Sequence, residues 1–219
     1  MNLSEKAKDM SVNLERLARW EEKFLRGDHS DDLWVLSQLK SETSVNDIPL
    51  LFRAAYSTEG FKFLAENGVN LLQKTNHGAT LLIESQGEFD VDTYRWLAQE
   101  FAKRDAIDLH DEEGFTALSS KIKFGDLDKA RILLENGASI HTFATVARYG
   151  NKRRSIPQQA VICMPSGGLD PQQVSIKALK LLQEFGYNPS KEEVSELLSG
   201  VSEHKPELRK WISENLASG

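Results

Sequence analysis

Asp111-Glu112-Glu113-Gly114-Phe115-Thr116-Ala117-Leu118, then Gly125, then Ile132-Leu133-Leu134-Glu135-Asn136-Gly137-Ala138-Ser139-Ile140, is the stretch that decides the fold. Its glycines are evenly placed: Gly125 follows Gly114 by 11 residues, and Gly137 follows Gly125 by 12. Such spacing suits two short helices with a glycine at each joint. Gly114 permits the tip of a β-hairpin, where a positive φ would strain other residues. Thr116 can offer its hydroxyl to a free backbone N–H at the start of the first helix. Gly125 joins the two antiparallel helices, and Gly137 ends the second in a left-handed conformation. Leu118, Ile122, Ile132, Leu133 and Leu134 supply the apolar faces, while Lys129 is expected on the exposed outer side.

Weaker copies flank this unit. Gly78-Ala79-Thr80-Leu81-Leu82 matches Gly114 to Leu118 after a step of 36 residues. The extra length fits between Glu84 and Thr93, where Gly87-Glu88-Phe89-Asp90-Val91-Asp92 reads as an extended loop. A helix from Thr93 to Lys103 follows, with Tyr94, Leu97 and Phe101 inward. An earlier copy runs from Ile48-Pro49-Leu50-Leu51 to Glu66-Asn67-Gly68, which repeats as Glu135-Asn136-Gly137. A later one is degenerate: Thr145 to Asn151 is either an inner helix or, with Gly150, a hairpin tip. Its outer helix is expected over Gln172 to Phe185, before Gly186-Tyr187-Asn188-Pro189.

The best copy resembles the ankyrin repeat, D-x-x-G-x-T-P-L-H, a later G, then L-L-x-x-G-A. Asp105-Ala106-Ile107-Asp108 and Gly186-Tyr187-Asn188-Pro189 stand where that family places G-A-D-V-N and G-A-D-P-N. The step of 36 exceeds the family's usual value of about 33. Lys121 occupies a position usually filled by Ala, and no intact T-P-L-H is present. The resemblance covers residues 46–190 and implies an all-α, ankyrin-repeat solenoid of stacked antiparallel helix pairs with short hairpin loops and helical caps. Residues 1–45 and 191–219 are the expected caps of one continuous domain, since terminal repeats must hide a last apolar face. Leu14, Leu17, Phe24 and Leu25 form one helical face, and Leu33, Leu36 and Leu39 another after a break at 28–32. Ser190-Lys191-Glu192-Glu193 reads as a capping box before Val194, Leu197 and Leu198. Pro206 opens a last helix with Leu208, Trp211, Ile212 and Leu216.

The chain has 219 residues, 40% hydrophobic and 27% charged, a foldable composition. Its longest apolar runs are too short to span a bilayer, and Met1 to Lys6 lacks the apolar core of a signal peptide. A single cysteine, Cys163, allows no internal disulfide and fits a reducing compartment, so a cytoplasmic location is expected. The net charge of -6 disfavours nucleic acid as a partner. The basic cluster Lys152-Arg153-Arg154 is too short to alter that and is expected to be a solvated loop.

Catalytic patterns are lacking: neither a phosphate-binding glycine loop nor a zinc motif is present, and no cofactor is implied. His77 and His110 fall at expected hairpin tips 33 residues apart. A metal between them would need two further ligands, with Asp111 the nearest nominee, so solvated tip histidines are expected. Cys163, among Val161, Ile162 and Met164, reads as a buried small hydrophobe rather than a nucleophile. Ser166-Gly167-Gly168 reads as an interhelical loop.

Asp105, Asp108, Asp111, Glu112 and Glu113 place five carboxylates within nine residues. They read either as a solubilising finger or as an electrostatic hook for a basic partner. The ankyrin resemblance implies binding of another protein through such tips, while the acidic charge and the short apolar runs set nucleic acid and membrane aside as expected partners. The candidate contact residues are Asp108, His110, Asp111, Glu112, Glu113 and Phe115, with Asn76 and His77 at the preceding tip. Phe115 is expected to be an exposed apolar anchor. The expected role is a non-catalytic inhibitor or immunity-type protein that neutralises a toxin or enzyme. The alternatives are a scaffold or adaptor, and an enzyme with its site in segment 142–171.

Overall fold

The computed structural model describes residues 3–42, 44–84, 89–146, 152–165 and 167–216, without the side chains of residues 3–13 and 146. Two compact units divide the chain, Met1–Leu97 and Ala98–Gly219. The fold is helix-rich rather than wholly helical, with two short antiparallel ladders among the described residues.

Unit 1 opens with α1 (Leu3–Leu25) and α2 (Asp32–Lys40). Leu17 and Trp20 are buried, and Trp20 Nε1 donates to Asp32 Oδ1 at 2.8 Å, so the indole keeps a partner inside the core. Arg16 and Lys23 both grip Asp31, whose carboxyl they hold below the ordinary carboxylate range. The buried stripe of α2 is Asp32, Val35, Leu36 and Leu39, not the expected Leu33, Leu36 and Leu39. Leu33 faces away and is 84% exposed, because it lies about 100° round the helix from Asp32, off the edge of that stripe. Leu25, at the end of α1, is also exposed.

Strands β1 (Ser44–Val45) and β2 (Ile48–Pro49) meet through Asn46 and Asp47, both at positive φ, the backbone of a two-residue hairpin turn. A 3-10 helix, Leu50–Arg53, and α3 (Thr58–Glu66) follow. Ser57 caps α3, and its neighbourhood is fixed by the buried Glu21, which accepts from the N–H groups of Tyr56 and Ser57 and from Ser57 Oγ. The short α4 (Leu81–Glu84) precedes α5 (Val91–Ala102), within which the division between the units falls. The expected loop from Gly87 lies partly outside the described residues. Tyr94, Leu97 and Phe101 are fully buried as expected, and Tyr94 Oη donates to Leu82 O at 3.1 Å.

Unit 2 carries the best repeat. Its helices are α6 (Ala117–Phe124) and α7 (Leu127–Glu135). Thr116 caps α6 by accepting from Ser119 N–H, and Gly114, Gly125 and Gly137 take φ of +83°, +75° and +88°. Every apolar position expected inward is buried. Lys129 is a correction: it is 5% exposed, its stem covered and its ammonium 3.5 Å from Asp126 Oδ2. A long aliphatic stem can cover apolar surface while its head reaches a carboxylate, which a polar-versus-apolar pattern does not register.

Strands β3 (Phe143–Val146) and β4 (Lys152–Ser155) then form an antiparallel ladder, Thr145 opposite Arg153. This favours the hairpin over the inner helix at Thr145 to Asn151, although Gly150 lies outside the described residues. Lys152 to Arg154 therefore belong to a strand, not to a solvated loop. The inner helix is α8 (Ile156–Val161), opened by a capping box of Ser155 and Gln158, and its outer partner is α9 (Pro171–Glu184). Helices α10 (Lys191–Gly200), with the expected Ser190–Glu193 capping box, and α11 (Pro206–Asn215) end the described chain. Val194, Leu197, Leu208, Ile212 and Leu216 are buried. Helix α8 packs against α6 and α10, and α9 against α7 and α11, so unit 2 has an inner and an outer row of helices.

Candidate protein-binding surfaces

The acidic turn of unit 2 is built around Asp111. His110 and Thr116 form an isolated bridge, and Asp111 N–H donates to Phe115 O. Asp111 Oδ1 accepts from Glu113 N–H at 3.0 Å and from Phe115 N–H at 2.8 Å, so this carboxylate holds the turn. Burial raises its pKa above the ordinary value, against the lowering effect of those two N–H groups. Asp108 is likewise committed, accepting from Ser139 N–H. Of the six candidates here, Glu112, Glu113 and His110 are exposed, with His110 Nδ1 2.8 Å from Asp111 O.

Phe115 is a correction. It is 6% exposed, packs on Ala144 of β3, and has Lys123 Nζ 4.5 Å from its ring centroid. Strand β3 covers it by approaching the turn closely: Thr145 N–H donates to Glu113 O at 2.6 Å. The exposed aromatic beside the turn is Phe143, 45% accessible, with the Arg153 guanidinium 3.9 Å from its ring centroid. Neither was among the expected contact residues. The alternation in Phe143-Ala144-Thr145-Val146 and its β-branched residues are the signal that could have found the strand.

Asn76 and His77 lie in unit 1, both exposed. Asn76 N–H donates to Asp47 O at 3.0 Å, joining two hairpin tips. Both line a groove of about 770 Å³ with Glu15, Phe52, Arg53 and Tyr56. Its walls mix carboxylates, an arginine and aromatic surface.

No family model matches the sequence, and no curated protein does. Among solved structures, the crystal structure of EF0377, an ankyrin repeat protein, aligns with a TM-score of 0.51 at 19% identity. The alignment covers 78% of this chain and 82% of that one. The chain has the ankyrin-repeat fold.

No cluster of three His, Cys, Asp or Glu that could hold a metal occurs among the described residues, and no described helix is long and apolar enough to cross a membrane. Cys163 is buried as expected, and burial pushes its thiol up to about 11. It therefore stays protonated near neutral pH and is a poor nucleophile. Met164 beside it is exposed instead of sharing that burial. Lys205 Nζ donates to Val161 O at 2.9 Å nearby, and its own pKa is lowered by burial.

Proposed function

We propose that this ankyrin-repeat chain is a non-catalytic protein-binding module, whose acidic turn meets a partner with a basic contact surface. The observation that carries this is the pair Glu112 and Glu113, exposed on a turn fixed by Asp111, with the exposed Phe143 on the adjoining strand. Carboxylates on a fixed turn speed encounter at long range, and a neighbouring aromatic supplies the area to bury. Asn76 and His77 serve as contacts of the unit 1 groove, and His110 flanks the acidic turn. Asp108, Asp111 and Phe115 act by holding the turn in shape. Residues 1–45 and 191–219 cap the repeats of 46–190, and the protein works in the cytoplasm.

Within this class we favour an inhibitor or immunity-type role, supported by a single-signed acidic turn on repeats that depart from the family pattern. Affinity capture of the chain from its source cells, with mass spectrometry, names the partner. An inhibitor abolishes that partner's activity at equal molarity, whereas an adaptor leaves it intact and binds a second protein at once. Association kinetics of Glu112→Gln with Glu113→Gln then test the turn. The expected result is a slower on-rate at low salt, by about threefold or more, shrinking at high salt. Unchanged on-rates overturn the assignment of the turn.

A further inference from the structure

A cleft of about 180 Å³ lies in unit 2, where the β3–β4 hairpin meets the starts of α8 and α10. Phe143 and Ser155, opposite each other in the ladder, line one side of it. Glu193, Glu196 and Leu197, three and four residues apart on α10, line another. Pockets for whole small molecules run from about 300 to 1,000 Å³, so this space suits a single side chain.

Tyr187 lines the cleft and is 8% exposed, yet its hydroxyl has no hydrogen-bond partner among the described residues. A buried phenol ordinarily finds one. Burial raises its pKa, and the Glu193 and Glu196 carboxylates raise it further, so the phenol keeps its proton at neutral pH and sits in the field of both anions.

Each carboxylate is only half committed. Glu193 Oε2 accepts from Ser190 N–H at 2.8 Å, and Glu196 Oε2 accepts from Gln158 Nε2 at 3.2 Å. Ser155 N–H donates to Gln158 Oε1 at 2.9 Å, so both ends of that amide are tied and the rim is set before anything enters. One oxygen of each carboxylate and Tyr187 Oη remain, three acceptors around one small space, and an ammonium carries three donors. Arg153 stacks 3.9 Å from the Phe143 ring centroid, but it does not line the cleft and pairs with neither carboxylate.

We propose that this cleft takes the ammonium of a lysine side chain presented by a partner protein. The ammonium donates to Tyr187 Oη and to the uncommitted oxygens of Glu193 and Glu196, while its aliphatic stem lies along Phe143 and Leu197. The site rests on the reading of a partner with a basic contact surface and gives that partner one anchor. An isolated lysine probes it without the partner, so the cleft and the acidic turn fail separately.

The test is an NMR titration of the full chain with acetyl-Ala-Lys-Ala-amide, against its Nε-acetyl-lysine and arginine counterparts. The lysine peptide shifts the Tyr187 and Leu197 amide signals saturably, with a Kd of about 1–10 mM, and the uncharged Nε-acetyl peptide binds at least about tenfold more weakly. Tyr187→Phe removes one acceptor and no charge; it leaves the thermal melt unchanged and weakens the lysine peptide about threefold. Glu196→Gln weakens it about fivefold, and Arg153→Gln tightens it by removing a neighbouring cation. Glu203→Gln, at an exposed carboxylate elsewhere in unit 2, changes nothing. No saturable shift below about 50 mM overturns the site, as does equal binding of the Nε-acetyl peptide. Equal losses from Glu196→Gln and Glu203→Gln overturn it too, leaving only general charge attraction. Equal binding of the arginine peptide overturns the match to an ammonium. Spermidine binding more than about a hundredfold tighter through the same residues overturns the assignment to a protein side chain.

Discussion

A Cβ placed on Gly114 would lie 2.8 Å from the carbonyl oxygen of Phe143 and 3.3 Å from Ala144 Cα. The turn and β3 are thus in backbone contact, which is why Phe115 beneath them is closed off. Gly137 takes a similar φ of +88° but has nothing within 4 Å of the same position. The two sites separate backbone strain from crowding.

Gly137→Ala should lower stability by about 1 kcal/mol, the conformational penalty alone. Gly114→Ala should cost about 2 kcal/mol or more, since β3 must also move. Denaturant melts compare the two, and equal losses would mean that the strand yields freely.

Leu134 is 6% exposed within the α7 face. Leu134→Ala should cost about 2–5 kcal/mol, as buried leucine truncations do. Lys129 is unsuitable as its exposed control, being 5% exposed itself; Lys177 on α9 is open, and Lys177→Ala should cost under about 0.5 kcal/mol. Coincident melts for wild type and Leu134→Ala would displace the register of this repeat.

The helical part of the repeat was legible because its signals are local. Gly114, Gly125 and Gly137 each sit at a backbone angle that favours glycine, and Thr116 caps the helix that its own position announces. The ladder from Phe143 to Ser155 was legible only as one of two alternatives, a hairpin or an inner helix, since the choice depends on pairing across the intervening segment 147–151. With that choice open, Phe115, whose burial comes from β3, was misplaced, and Phe143 and Arg153 were not drawn together. Helix α8 has six residues, too few to display a period, although Ser155 and Gln158 spell its capping box. On α2 the spacing of Leu33, Leu36 and Leu39 mimicked a face that Val35 completes instead.

Asp111→Ala removes the acceptor for two backbone N–H groups and should cost about 1–2 kcal/mol. Asp111→Asn keeps a carbonyl oxygen there and should largely retain stability. The pH dependence separates the two acceptors. Burial raises the folded pKa of Asp111 above its unfolded value, so the fold penalises its charged form at neutral pH. That penalty is relieved as pH falls through the raised pKa, so wild type should gain on Asp111→Asn between about pH 7 and 4. Melts at both pH values check the sign, and a gain for the Asn variant on acidification would refute the account.

Gln159 is 1% exposed, and neither atom of its amide finds a hydrogen-bond partner among the described residues. Gln159→Met, of similar shape and without the amide, should raise stability by about 1–2 kcal/mol. Thermal unfolding measures it. A lower melting temperature would mean that the amide is satisfied in solution.

Glu21 has a consequence for modularity. A repeat array invites exchange of its ends, each block being a nominal cassette. Here α1 is wired into the following segment: its carboxylate closes the N–H groups of Tyr56 and Ser57 and the Ser57 hydroxyl, and Gly60 leaves room for it, since a Cβ there would lie 2.2 Å from Glu21 Oε1. A graft that replaces the first helix with a foreign one must therefore bring an anionic acceptor to the same place. Without it, the graft inherits bare donors at the threshold of α3, and Gly60 becomes a vacancy with nothing to receive.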